Sequence, residues 1–562
     1  MNFKNINCLI DLFDQAKQQN LDKNFLFKIN KDKKIESFSW READEHIKNI
    51  SNFLLENKVV KGDRILLVSE NRPEWLLSDL AILQSGAVTV PNYTTYTVKD
   101  FEFILNDCLP KGLIVSNAKL LNTIQKACEN INYKLQFIIL FDKENTNSDV
   151  TYFYDIKNNK INNHCEIKRT DPACIIYTSG TQGTPKGVLL SHGGILCNVE
   201  GAIEIINEIK INKFRFLTWL PLSHSYEHTV QFVQIALFAE IFYCANLEKL
   251  METIKISQPH IMTAVPRFYN NLYNKMQPKL KESYIFSKTV DLGSKIFLGQ
   301  KVNILERLFN KILNYVVRKK VVKNFGGNLK AFISGGGPLD KNIGVFLNSV
   351  GLRTLQGYGL TEFSPVVSCN PINKIKIETV GVPFKNIKVK INQDGEILVQ
   401  GESLMMRYWN NEKATNDAIQ NGWLHTGDIG EIDQEGYLKI TDRKKDIIVN
   451  SGGDNISPAK IENLLCINPE IEQSFVYGDN KNYLVALLVL NKEFNLTRAD
   501  IQIVVDKVNK ELTAIEKIKN FAIINQPFSI ENNMLTPTMK IKRHVIKNYF
   551  KELLNSFYAP KN

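Results

Sequence analysis

Along the first two-thirds of the chain, short apolar runs alternate with segments of helical character. Ile65-Leu66-Leu67-Val68, Gly112-Leu113-Ile114-Val115, Phe137-Ile138-Ile139-Leu140 and Ile175-Ile176-Tyr177 each lack a charged residue. A strand that is apolar on both sides is buried on both faces, as in a parallel sheet covered by helices. Gly62 and Asp63, and Pro91, Pro110 and Pro172, punctuate the boundaries. Residues 281–325 are predicted to be mainly helical, with Ile304, Leu308, Ile312 and Val316 at four-residue steps. After about residue 380 the pattern shifts to short strands joined by turns. Asp394-Gly395 feeds Glu396-Ile397-Leu398-Val399, and Glu435-Gly436 feeds Tyr437-Leu438-Lys439-Ile440. The charged run Asp442-Arg443-Lys444-Lys445-Asp446 then interrupts strand-like sequence on both sides, which sets the expected domain boundary. The predicted fold class is α/β: a large, multi-layered α/β domain over 1–441, followed by a small α+β domain over 442–562 with a basic helical tail.

Composition narrows this picture. A chain of 562 residues exceeds one hydrophobic core, in keeping with two domains. The net charge of +11 suits an anionic partner, whether a nucleotide, coenzyme A (CoA) or an acidic membrane surface. No nucleic acid partner is expected, because no aromatic-interleaved basic module, zinc-finger spacing or RNP-type motif accompanies the charge. Nine cysteines occur singly with no C-x-x-C pair, as expected for reduced thiols in a cytosol. The first residues lack a signal-peptide core, and the longest apolar stretch, 229–247, is interrupted by Glu240. A cytoplasmic location is therefore expected, with peripheral contact at a membrane's inner face and the oligomeric state both left open.

The densest chemistry lies in Tyr177-Thr178-Ser179-Gly180-Thr181-Gln182-Gly183-Thr184-Pro185-Lys186-Gly187, between the apolar runs Ala173-Cys174-Ile175-Ile176 and Val188-Leu189-Leu190. Glycines let backbone N–H groups close around an anion, hydroxyls add donors, and the lysine adds compact positive charge. Such a loop suits a polyphosphate. It is not a Walker loop, because Pro185 rather than glycine precedes Lys186 and the glycine spacing differs.

Further segments carry groups suited to a nucleotide. Gln356-Gly357-Tyr358-Gly359-Leu360-Thr361-Glu362 sets an aromatic ring between glycines, able to stack on a purine, ahead of a carboxylate able to hold a divalent cation. Ser334-Gly335-Gly336-Gly337-Pro338-Leu339 is a second backbone-exposing turn. Gly422-Trp423-Leu424-His425-Thr426-Gly427-Asp428 presents a carboxylate able to accept two ribose hydroxyls. Leu535-Thr536-Pro537-Thr538-Met539-Lys540-Ile541-Lys542-Arg543 by itself reads as a solvated basic segment.

In this order the motifs resemble those of the AMP-forming, adenylate-forming enzymes, the superfamily of acyl-CoA synthetases, luciferases and peptide-synthetase adenylation domains. The resemblance runs from about residue 60 to residue 543. It implies an ATP-binding loop of Thr178, Ser179, Gly180, Thr181, Gly183, Thr184 and Lys186. It also implies an adenine side formed by Gly335, Gly336, Gln356, Gly357, Tyr358 and Thr361, with Tyr358 stacked on the base. Glu362 and Thr181 would share Mg²⁺, and Asp428 and Arg443 would hold the ribose. Lys540 resembles the lysine that bridges the reacting carboxylate and the α-phosphate; with Lys186 and Glu362 it forms the implied catalytic set. Gly452 and Gly453 resemble the segment lining the pantetheine path of CoA, and Lys445 the hinge of a mobile C-terminal domain.

Ala264-Val265-Pro266-Arg267-Phe268, Val90-Pro91-Asn92-Tyr93, Leu220-Pro221-Leu222-Ser223-His224 and Leu404-Met405-Met406-Arg407-Tyr408-Trp409 resemble the long-chain fatty acyl-CoA synthetase branch. That likeness places His224 and Gly335 beside an acyl chain. Arg407 departs from the branch, standing where a glycine is expected, and Gln182 holds a position more often threonine.

The implied activity is an ATP-dependent long- or medium-chain fatty acid–CoA ligase. It would form acyl-AMP and pyrophosphate, then acyl-CoA and AMP. A fatty carboxylate, with a pKa near ~4.3, is already ionised at neutral pH, so adenylation needs no general base. The alternatives are an acyl-AMP ligase that loads a carrier protein, or a catalytically silent fatty-acid-binding relative. The intact Lys186, Glu362, Asp428 and Lys540 disfavour silence, and Gly452-Gly453 favours CoA. A rival pattern, His224-Ser225-Tyr226-Glu227-His228, reads H-x-x-E-H, a zinc signature, but leaves the other motifs unexplained. The basic residues of 318–323 read either as a solvated helix face or as a docking point for anionic lipid.

Overall fold

The computed structural model describes residues 3–30, 32–146, 148–157, 165–178, 185–536 and 540–559. Side-chain alternation along the strands builds its layers. In the strand Arg64–Val68, Ile65 and Leu67 enter one core while Leu66 and Val68 enter another. Both faces of the strand are therefore buried, which is why the run carries no polar alternation. This strand lies in an eight-stranded sheet, parallel to Val88–Asn92 and Gly112–Val115; Phe137–Leu140 is parallel to the latter. A nine-stranded sheet has a parallel centre that includes Arg215–Thr218, Ile261–Ala264, Ala331–Ser334 and Thr354–Gly359. The core between the two sheets is filled by the buried helices Pro73–Gln84, His192–Ile206 and Ser225–Ala236. Other helices cover the outer faces. A five-stranded sheet follows, including Trp423–Ile432 and Leu438–Arg443.

The C-terminal part is a smaller α+β unit. Its strand Leu484–Leu490 repeats the two-sided logic: Leu484, Ala486 and Leu488 pack with the helices Pro458–Cys466 and Arg498–Asn509, while Val485, Leu487 and Val489 pack with the tail helices. The chain thus has a large mixed α/β domain and a small α+β domain. The strand Leu438–Arg443 pairs with Trp423–Ile432, and Lys444 Nζ reaches Asp394 at 2.6 Å and Glu396 at 3.3 Å. The five-stranded sheet therefore holds the chain a few residues beyond 441.

Residues 281–325 are helical, in Tyr284–Phe297, Ile304–Leu313, a π-helix Asn314–Arg318 and Lys319–Lys323. The apolar stripe at Ile304, Leu308, Ile312 and Val316 points outward, however, and the segment is anchored through Leu313, Val317 and Val321. Periodicity sets a stripe but not its direction. Arg318 is not a solvated charge either: its guanidinium donates to the carbonyls of Ser349 (2.7 Å), Asn310 (3.3 Å) and Thr289 (3.4 Å). All nine cysteines are unpaired. No helix of the described residues is long and apolar enough to cross a membrane.

Candidate active site

The glycine- and hydroxyl-rich loop joins two antiparallel strands, Pro172–Thr178 and Lys186–Ser191, with Thr178 paired to Lys186. Its flanking strands are antiparallel partners, unlike the strand and helix that flank a Walker motif. Ser179, Gly180, Thr181, Gly183 and Thr184 lie outside the described residues. Lys186 is placed. Its Nζ lies 4.8 Å from the centroid of the Tyr408 ring, a cation–π distance. The Tyr408 hydroxyl in turn donates to Glu362 Oε1 at 2.8 Å. Burial and the adjacent Glu362 carboxylate push the Tyr408 phenol pKa well up, so it remains a donor. Tyr408 thus ties Lys186 to Glu362. The local reason is strand pairing: Arg407–Tyr408 extends the sheet antiparallel to Lys186–Ser191, with Tyr408 opposite Val188.

A second group forms around Asp428. The Tyr358 hydroxyl donates to Asp428 Oδ2 at 2.6 Å, and Arg443 Nε lies 3.3 Å from Asp428 Oδ1. Asp428 and Arg443 are cross-strand partners, so a single register sets the pair. Burial raises the Asp428 carboxyl, against the opposing pull of Arg443 and Tyr358.

Lys540 comes from the small domain. Its backbone N–H donates to Thr536 Oγ1 at 3.0 Å and its carbonyl accepts from Thr536 N at 2.8 Å. It retains exposed surface and lines the central cavity. Surrounding protein and the Arg443 charge lower its ammonium pKa, while Asp428, Glu362 and Asp446 oppose that shift.

The cavity holds about 140 Å³ open to water-sized molecules. His224, Gly335, Gly336, Gly357, Tyr358, Thr361 and Lys540 line its polar part. Apolar residues from the helices His192–Ile206 and Ser225–Ala236, together with Phe216, Ile261 and Phe384, line the rest. His224 caps the second of these helices, its Nδ1 accepting from Tyr226 N at 3.2 Å. Burial, with Lys540 nearby, depresses His224 to about 4, so the imidazole is neutral at pH 7. Gly335 lies close under the Tyr226 ring: a Cβ there would stand 3.0 Å from it, a tight contact. The Thr361 and Ser225 hydroxyls are 3.0 Å apart at the same wall.

Not every motif residue joins this centre. The Gln356 amide is committed to backbone: its Oε1 accepts from Leu339 N at 3.1 Å and its Nε2 donates to the Ile377 carbonyl. Gly452 and Gly453 sit at an exposed hairpin tip between Ile448–Val449 and Asn455–Ile456 and do not line the cavity. Gly453 has φ +86° and open space where a Cβ would stand. Lys445 lies exposed in the turn closed by Asp446 N and Ile447 N donating to the Arg443 carbonyl, at 2.9 and 3.1 Å. Arg407 is exposed, its guanidinium 5.9 Å from the Trp409 ring centroid, so its side chain takes no core volume.

The H-x-x-E-H residues have separate partners. His228 Nε2 meets Asp79 Oδ2 at 2.9 Å, and Glu227 Oε2 accepts from Thr263 at 2.7 Å. Burial pulls His228 down, but Asp79, aided by Cys174, outweighs it and lifts the imidazole to about 10. Burial pushes Glu227 up to about 8. Tyr408 is the residue that motif reading missed as a site. It lies within the Leu404–Trp409 segment, but only the pairing with Val188 brings it to Lys186.

The family profile described as AMP-binding enzyme matches residues 12–409, and that of the AMP-binding enzyme C-terminal domain matches 445–562. The long-chain-fatty-acid–CoA ligase FadD15 of Mycobacterium bovis is 31% identical over 551 residues, covering 92% of this chain and 91% of that protein. The peroxisomal long chain acyl-CoA synthetase 7 of Arabidopsis thaliana is 30% identical, covering 99% and 87%. Among solved structures, the adenylation domain of a carboxylate reductase from Mycobacterium chelonae superposes with TM-score 0.81 at 20% identity, covering 100% of this chain and 92% of that one. The anthranilate CoA ligase AuaEII in complex with anthranoyl-AMP gives 0.78 at 19% identity, covering 99% and 100%. The chain therefore belongs to the AMP-binding enzyme family, and it is an AMP-forming ligase that activates a carboxylate as its acyl-adenylate.

Proposed function

We propose that the carboxylate is a medium- to long-chain fatty acid and that the acceptor is CoA. The observation that carries this reading is the cavity, which begins at Lys540 and His224 and continues between apolar side chains such as Ile205, Ile206, Phe216, Ile261 and Phe384. Each buried CH₂ contributes about 0.8 kcal/mol of transfer free energy, so such a channel favours longer acids. The names of the relatives at 30–31% identity support the same substrate class.

In this proposal Lys540 steers the carboxylate onto the α-phosphorus of ATP. His224 is neutral at pH 7 and adds no competing positive charge beside it. Asp428 and Arg443 would hold the ribose, Tyr358 the base, and Lys186 with the loop hydroxyls the phosphates. The carboxylate oxygen bonds to the α-phosphorus as the bond to pyrophosphate breaks. The CoA thiolate then attacks the acyl carbonyl, and AMP leaves with that oxygen.

Glu362 offers a carboxylate beside Lys186, with its second oxygen left by the Tyr408 hydrogen bond to take a cation. Magnesium needs only one or two carboxylates besides phosphates and water, so Glu362 fits as its holder, and the ion would neutralise phosphate charge. Because Lys540 lines the cavity and Gly453 does not, the thioester step would need the small domain to turn about Lys445. The test is a thioester assay with ATP, CoA and a panel of acids. Activity rising from acetate to acids of about ten carbons or more is expected. A flat profile, or product with acetate alone, would overturn the fatty-acid reading; acyl-AMP without thioester would point to a carrier-protein acceptor.

A further inference from the structure

The helices Tyr284–Phe297 and Ile304–Leu313 carry an apolar face that no part of the described chain covers. Ile304 and Leu305 are 77% and 76% exposed, and Tyr284 is 74% exposed. At 3.6 residues per turn, Ile304, Leu305, Leu308, Phe309 and Ile312 fall within about 140° of arc. The opposite side, through Leu313 and Val317, is what anchors the segment. A contiguous exposed apolar face of this kind marks an interaction surface.

The charge around this face selects the partner. Residues 284–323 contain nine Lys and Arg against two acidic residues, a net +7 of the chain's +11. Both acids are already paired: Asp291 lies 3.9 Å from Lys288, and Glu306 lies 3.4 Å from Lys295. Glu306 also caps its own helix through Asn303. Arg318 is spent on backbone carbonyls. Lys301, Arg307, Lys311, Lys319, Lys320 and Lys323 are exposed, with no ion-pair partner among the described residues. Two copies of such a face would bring like charges together.

We propose that this face docks the protein on an anionic phospholipid bilayer, the helices lying in the interface with Ile304, Leu305, Leu308 and Ile312 inserted and the lysines at the headgroups. The segment rests on the membrane without crossing it.

The test is flotation of the full chain with vesicles of phosphatidylcholine, with or without phosphatidylglycerol. It is read without acid, ATP or CoA, so it stands apart from the substrate reading. Binding to the anionic vesicles is expected, weakened when salt is raised from about 0.1 to 0.5 M. The variant Ile304→Ser/Leu308→Ser/Ile312→Ser and the variant Lys311→Glu/Lys319→Glu/Lys320→Glu should each lower partitioning by about tenfold or more. Both should unfold at the wild-type temperature, since the changed side chains are exposed. Absence of binding to anionic vesicles, or binding unchanged in both variants, would overturn the proposal. So would a wild-type dimer that the serine variant dissociates with vesicle binding unaltered; the face would then join two copies.

Discussion

Tyr408→Phe deletes one hydroxyl and leaves the ring in place, so it tests whether the tie between Lys186 and Glu362 matters to adenylation. The hydroxyl donates to Glu362 Oε1 at 2.8 Å, from a side chain that is itself buried. A hydrogen bond to a charged acceptor contributes about 1.5–3 kcal/mol. With about 1.4 kcal/mol per factor of ten, its loss should lower kcat/KM for ATP–pyrophosphate exchange roughly 10- to 100-fold. The Phe ring still faces Lys186, whose Nζ lies 4.8 Å from the ring centroid in the wild type. Tyr408→Leu removes that contact as well, worth about 0.5–2 kcal/mol, and should lose a further two- to thirtyfold or so. Exchange is measured with palmitate while Mg²⁺ is titrated, and the half-saturating Mg²⁺ concentration should rise in both variants. Thermal unfolding serves as the control. Exchange within twofold of wild type in Tyr408→Phe, or a loss that tracks unfolding with no change in Mg²⁺ dependence, would refute the reasoning.

The two-step scheme predicts that Lys540→Ala loses pyrophosphate exchange at least 100-fold, yet still makes thioester from supplied acyl-adenylate and CoA. Gly453→Leu should do the reverse; its φ of +86° adds modest strain at an exposed hairpin, and equal loss of both half-reactions in both variants would mean one fixed site. His192 is buried, its Nδ1 accepts from Leu9 N at 3.3 Å, and burial lowers it to about 4. Because the unfolded chain takes up that proton near ~6.5, the stability is present above that pH and lost as pH falls from 6.5 towards 4, about 2 kcal/mol by pH 5. Urea unfolding at pH 7 and 5 should show this loss reduced in His192→Asn; an identical pH dependence in the variant would contradict the assignment.

Much of the fold was legible because parallel strands buried on both faces must be apolar throughout, as in Ile65-Leu66-Leu67-Val68. The site was legible where one short loop concentrates a residue type, as around Lys186. Asp428 and Arg443 were singled out through the family resemblance, and strand pairing makes them cross-strand partners. What pairing and packing decide was not legible. Tyr408 reaches Lys186 only through the register with Val188. The Gln356 amide serves backbone, which no local pattern signals. The stripe through Ile304 and Leu308 was correctly helical, but its outward direction depends on Leu313 and Val317 taking the anchoring side.

Activation through an acyl-adenylate moves one of the acid's own oxygens onto AMP. Turnover of fatty acid labelled with ¹⁸O in both carboxylate oxygens, with unlabelled ATP and CoA, tests it directly by mass spectrometry of the nucleotide. One ¹⁸O atom is expected in each AMP released, the other remaining in the thioester carbonyl. ADP with labelled phosphate would indicate an acyl-phosphate route, and unlabelled AMP would mean that no acyl-adenylate forms; either result would contradict the account.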